Sequence, residues 1–229
     1  MKRLLQIILM CVLLAFAIPA AANVTVGLPA DSGGGNCFPF GCAYNAEYQQ
    51  VYNSSQFSGP ITITNLEFFN TKYNSSATAM PSGTWTISLS TTSADWNTLS
   101  STPASNIGGN NTLVFNGNLS QAWAFGDTLD IILSTPFTYN PLSGNLLMDV
   151  SASTSVSGGN IYFDVNGNNS YMSRLYYSGG LTSGVVTINN GYGLVTEFST
   201  GTAVPEPATM LLLGLGLVGL AGMRKKFKS

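Results

Sequence analysis

The sequence has 229 residues, 45 % of them apolar and only 8 % charged, with 25 Gly, 10 Pro, 3 Cys and no His. That length holds one sizeable domain plus targeting segments. Long apolar runs occur only at the two ends, which excludes a polytopic membrane protein, and 11 % aromatic residues argue against disorder. Without His, Ser-His-Asp and Cys-His hydrolase chemistry and His-ligated metals are excluded.

The charge is segregated along the chain. Residues 1–22 carry Lys2 and Arg3, and residues 204–229 carry four bases against Glu206. The body, 23–203, holds nine acids against Lys72 and Arg174, a net charge of −7. Such a body has no basic footprint for nucleic acid.

The N-terminus reads as a secretory signal over residues 1–22. Lys2 and Arg3 precede an apolar run from Leu4 to Ile18, and Pro19 and Ala20-Ala21-Ala22 form the exit to a cut before Asn23. Export implies an oxidising compartment. Cys37 and Cys42, enclosing Phe38-Pro39-Phe40-Gly41, are therefore expected to form a structural disulfide rather than a metal or redox site.

Within the body, period-two alternation recurs and no helical period is sustained. Trp85, Ile87 and Leu89 alternate with hydroxyls. Leu129, Ile131 and Leu133 share one face, as do Leu146, Met148 and Val150, then Ile161, Phe163 and Val165, and finally Leu194 and Phe198. Between Ile61 and Phe68 the phase slips by one, which predicts a β-bulge around Thr64–Asn65. Gly, Pro and Asn clusters separate the runs. The pattern predicts an all-β fold, an antiparallel two-sheet sandwich of jelly-roll type, with a long loop over 93–110.

Three chemical candidates stand out in the body. Asp164-Val165-Asn166-Gly167-Asn168-Asn169 spaces oxygen ligands like a calcium loop, but the EF-hand pattern fails and a hairpin turn is expected instead. Asp127 and Asp130 lie three apart and point to opposite faces of a strand, so they are poorly placed for shared acid–base work, and only carboxylates from different strands could serve a glycan hydrolase. Exposed aromatics could stack on sugar rings. Tyr44, Tyr48, Tyr52, Tyr73, Trp96, Trp123, Tyr139, Tyr162, Tyr171, Tyr176, Tyr177 and Tyr192 are candidates, although strands and sandwich cores also favour such residues. Trp96, in the polar run Ala94-Asp95-Trp96-Asn97-Thr98, is the least core-like of them and the candidate ligand platform. No catalytic residue, metal site or cofactor is expected.

The C-terminus has three parts. Val204-Pro205-Glu206-Pro207 is held extended by its prolines. Residues 208–223 carry no charge and span about 24 Å as a helix, short for a bilayer core of about 30 Å. Arg224, Lys225, Lys226 and Lys228 form a basic anchor expected to stay cytoplasmic. These parts in this order resemble the PEP-CTERM sorting signal of Gram-negative bacteria. The resemblance implies transient anchoring of a transmembrane helix over 208–223 and recognition by an exosortase, a membrane-embedded cysteine transpeptidase. That enzyme would cut near the Pro-Glu-Pro and release or re-attach the body at the cell surface or in the extracellular matrix.

Two body stretches, Gln49–Tyr52 with Phe57–Ile63 and Asn140–Val150, look more loosely like those of PEP-CTERM ectodomains. They imply a secreted β domain with no assigned enzyme activity. The expected protein is an exported, non-catalytic structural or interaction module associated with exopolysaccharide or biofilm, with secretion machinery and exosortase as partners. A carbohydrate-binding or adhesive module is the alternative, and a secreted glycan hydrolase the third reading.

Overall fold

The computed structural model describes residues 23–42, 47–74, 77–152, 156–178 and 185–200. These fall in one compact unit, Ala22–Gly201. The expected signal, the sorting motif, the helix over 208–223 and the basic anchor lie outside the described residues. Among the described residues no helix is long and apolar enough to cross a membrane.

Among the described residues twelve strands form: β1 (Val24–Val26), β2 (Tyr48–Tyr52), β3 (Ile61–Phe69), β4 (Trp85–Thr92), β5 (Thr112–Gly117), β6 (Thr128–Tyr139), β7 (Asn145–Ala152), β8 (Val165–Gly167), β9 (Met172–Ser178), β10 (Val185–Asn190), β11 (Tyr192–Leu194) and β12 (Thr196–Thr200). A four-stranded sheet runs β1-β12-β3-β6, a six-stranded sheet runs β10-β9-β2-β7-β4-β5, and β11 pairs with β8. Every pairing among them is antiparallel.

The alternation in the sequence sets which face is buried. Trp85, Ile87 and Leu89 of β4 and Leu146, Met148 and Val150 of β7 are fully buried. They meet Leu66 and Phe68 of β3, Leu129 and Ile131 of β6 and Phe198 of β12 in one core. The fold is therefore all-β and sandwich-like. Rings bridge the sheets: Tyr52 meets Phe198 edge-on at 4.9 Å, and Phe57 packs against Phe198 at 5.5 Å. Burying each such side chain contributes about 1.5–3 kcal/mol.

The β3–β6 register shifts between Ile63 and Asn65, at the phase slip. Against β12 the shift is a single added residue, Thr64, between the Asn65–Ser199 and Ile63–Thr200 pairs, and it lets both Ile61-Ile63 and Leu66-Phe68 face inward. Two runs differ from the alternation. Ile161 and Phe163 are buried, yet only Val165–Gly167 forms a strand there, because the amides of Asn160 and Ile161 both donate to the carbonyl of Gly41 and Phe163 bridges to Asn36. The final run breaks at Val195, whose amide donates to the Asp164 carbonyl as the chain passes from the small sheet into the four-stranded one.

The loop between β4 and β5 lies where the sequence places it and carries a 3-10 turn at Pro103–Asn106. It covers the outer face of the six-stranded sheet. This explains why Val51 and Leu147, which point away from the core, are nonetheless fully buried, in a second cluster with Leu99 and Leu175.

Cys37 and Cys42 are joined, their Cα atoms 5.1 Å apart. The loop they close puts Phe40 in the core and stacks Phe38 on Tyr176 at 5.0 Å. Gly41 is required there, since a Cβ would stand 2.0 Å from the Ile161 carbonyl oxygen. Replacing both cysteines by serine closes no loop in the unfolded chain and should cost about 2 kcal/mol in urea denaturation.

A polar seam runs through the core. The Gln50 side chain is fully buried, and its amide donates to the Leu194 carbonyl (2.9 Å) while its oxygen accepts from the Leu194 amide (2.8 Å). The Tyr48 hydroxyl donates to the same oxygen, and Tyr52 pairs with Thr196 at 2.9 Å. Gly193 lies so close that a Cβ would stand 2.8 Å from Cδ of Gln50. Gln50→Ala leaves the buried Leu194 amide without its acceptor, while the Leu194 carbonyl keeps the Thr196 hydroxyl, and should cost about 1–3 kcal/mol, read by the same denaturation.

Candidate functional site

The described body presents three distinct chemical surfaces. The first lies under the β4–β5 loop. Trp96 is half-buried and packs on the Val51–Leu147–Leu175 cluster with Val186 and Ile188. Its ring thus helps to hold the loop down, while its amide donates to Asp95 (2.7 Å).

Beneath the same loop, Gln49 donates to Asp149 (2.9 Å) and to the Pro103 carbonyl (3.1 Å), and Asn106 donates to Gln49 (2.9 Å). Burial raises the Glu47 carboxyl above its ordinary value, and the charge of Asp149 adds to this. Burial raises Asp149 too, against the lowering effect of the Gln49 hydrogen bond.

The second surface is the outer face of the four-stranded sheet. Glu197 on β12 lies directly opposite Glu67 on β3, which lies opposite Asp130 on β6. Such neighbours stand about 5 Å apart at Cβ, a spacing at which like charges repel. Each carboxylate is solvated by its own donors. Asn23 and Thr25 both donate to Glu197 at 2.8 Å, Ser199 donates to Glu67 at 2.7 Å, and Asn65 donates to Asp130 at 2.9 Å. The row stands on a sheet face. Asp127, by contrast, caps the turn before β6 by accepting from the Ala124 amide at 2.8 Å.

The third surface is a groove of about 410 Å³ beside β1, where Thr25, Leu28, Thr71, Lys72 and Glu197 line the walls. Asp164 organises its edge. One oxygen accepts from the amides of Thr71 (2.8 Å) and Lys72 (2.9 Å), the other from the Thr71 hydroxyl (2.6 Å). All three partners are donors, so the Asp164 carboxyl pins a turn. Asn168 takes φ 57° at the end of β8, as a turn residue does. Among the described residues no group of three His, Cys, Asp or Glu could hold a metal.

Next along the chain, Tyr73 is 42 % exposed and packs against Tyr162, the ring centres 4.6 Å apart and the planes tilted by 49°. Of the other aromatic candidates, Tyr48, Tyr52 and Tyr139 are fully buried and Trp123 nearly so, while Tyr44 lies outside the described residues. Tyr176 and Tyr192 flank Arg174 instead, their ring centres 4.8 and 4.2 Å from its guanidinium carbon. Arg174 is only 6 % exposed, and its Nε donates to Asn189 at 3.0 Å. The tyrosine faces stabilise this buried cation. Sequence reading missed the acidic row, which depends on register between distant strands, and the Tyr73–Tyr162 pair, which depends on the meeting of two turns.

The raised carboxyls of Glu47 and Asp149 make stability depend on pH. Their folded-state values lie above the ordinary 4.5 and 3.8, so their contribution is fully present below pH 4 and is lost as pH rises through the folded values. Asp149→Asn, which keeps an acceptor for Gln49, should flatten this decline and raise stability at pH 7 relative to the parent, measured by denaturation at pH 4 and pH 7.

No curated protein matches the chain. The PEP-CTERM protein-sorting motif, however, matches residues 203–226. The chain thus carries a PEP-CTERM protein-sorting motif, which supports exosortase-dependent sorting of an exported protein.

Proposed function

We propose that this chain is delivered by its tail and works by its body without catalysing a reaction. In this reading residues 1–22 are removed on export and residues 208–223 span the membrane transiently. Arg224, Lys225, Lys226 and Lys228 stay inside, and an exosortase cuts near Val204-Pro205-Glu206-Pro207. The body then serves at the cell surface or in the exopolysaccharide matrix of a biofilm as a structural or interaction module. The match of residues 203–226 to the sorting motif carries this reading.

Strand order supports a jelly-roll body. β1, β3, β6 and β12 occupy one sheet and β2, β4, β5 and β7 the other, with β8–β11 inserted before the last strand. Jelly rolls commonly serve as capsid and lectin domains. The acidic row favours no enzyme reading, because its three carboxylates are neighbours along one sheet face, and only Glu197 reaches the groove beside β1. The groove beside Lys72, with the Tyr73–Tyr162 pair next in the chain, favours glycan binding as the second reading, with Lys72 and Thr25 bonding hydroxyls.

Mass spectrometry of the exported protein tests the first reading. The parent should lack Arg224–Ser229. The Pro205→Ala, Pro207→Ala chain should retain them and stay with the membrane fraction. A parent that keeps its basic tail overturns tail processing. For the second reading, Tyr73→Ala should abolish saturable glycan binding while Trp96→Ala leaves it within twofold.

A further inference from the structure

Each of the two large sheets has two edges, and three of these four edges carry features that discourage pairing with another chain. β1 is only three residues long. β6 contains Pro136 and Asp130, and its pairing with β3 is bulged. The β4–β5 register is also broken, between Ile87 and Ser88, and the Ser134 hydroxyl of β6 donates to the Val114 carbonyl of β5 at 3.0 Å, which holds that edge against the other sheet.

The fourth edge, β10, has none of these features. It pairs with β9 over six residues without a break in register, and it holds no proline and no charge. Every second residue of an edge strand directs its N–H and C=O away from the sheet. Among the described residues, no backbone group other than those of β9 pairs with Val186–Asn189.

From this contrast we propose that β10 pairs antiparallel with β10 of a second copy of this chain. The two six-stranded sheets would then form one continuous sheet about a twofold axis. Two observations single out a second copy over an unrelated strand. First, the body carries a net charge of −7, so two copies repel on most approaches, and β10 is a stretch where like charges do not meet. Second, the apolar cluster on the outer face of the sheet runs out to this edge. Val186 and Ile188 are half-buried and pack with Leu175 and Tyr177. Across a twofold axis each of these residues would meet the same residues of the second copy, and the exposed half of each would be covered. Isologous contacts of this kind are the commonest in homo-oligomers. So few paired residues form a small interface, so the dimer is weak and concentration-dependent.

The experiment uses the exported chain, purified as the cell releases it, in sedimentation equilibrium over a concentration series. The mass should rise from that of one chain to that of two and stop there. Thr187, half-exposed near the centre of β10, would lie close to its counterpart. Thr187→Lys alone and Thr187→Glu alone should each stay monomeric, with thermal unfolding like that of the parent, and an equimolar mixture should recover the dimer. If either variant unfolds, hydrogen exchange of the parent takes its place: the outward-facing amides within Val186–Asn189 should be protected at high protein concentration and exchange freely at low concentration, and free exchange at both would overturn the proposal. A parent that is monomeric throughout, a dimer that both single variants leave intact, or assembly that continues beyond two chains would each overturn the proposal. None of these outcomes bears on how the tail is processed.

Discussion

The side-chain amide of Gln50 binds both backbone groups of Leu194 in a region with no access to water. Burying an amide is unfavourable unless each polar atom finds a partner. Here the partners come from a segment more than a hundred residues later. The contact fixes the small β8–β11 sheet against β2 and so sets where β12 leaves to enter the four-stranded sheet. Tyr48, Tyr52 and Thr196 extend the same polar line across an otherwise apolar interior. The core is thus defined by one satisfied network as well as by packed rings, and such networks favour a single arrangement over slipped ones.

The low charge content is reflected in how the outer surfaces are built. With few ionic side chains, the strands present Ser, Thr and Asn, and these satisfy one another and the carboxylates. The Glu67, Glu197 and Asp130 row depends on this. Four donors hold the three like charges on adjacent strands. Arg174 shows the same economy with the opposite sign, since aromatic faces and one side-chain amide oxygen surround it.

Much of the fold was legible in the residues because period two is a local property. The alternation of Trp85, Ile87 and Leu89 could be read without knowing what lay opposite, and so could the phase slip beside Thr64, because a displaced residue must send its neighbours to the wrong face. The sequence also marked the tail, where prolines, an uncharged run and basic residues follow in order. What could not be read depends on meetings between distant segments. Ile161 and Phe163 alternate like a strand, yet the Gly41 carbonyl captures the backbone there. Trp96 has polar neighbours in sequence, yet its loop folds down onto a sheet face that alternation alone would leave open. The carboxylate row and the tyrosine pair arise from register and from turn packing, which no single run encodes.

β12 is the last strand of the body, and it lies inside its sheet between β1 and β3. The Thr200 amide also donates to Asn23, so the first and last described residues sit side by side. Any pull applied to the chain beyond Thr200 therefore bears on two hydrogen-bonded ladders at once instead of peeling a strand from a margin. A body tethered by that end is mechanically braced, and joining residues 23 and 200 with a short linker would give a permuted chain that could open at a new point without disturbing the sheet order.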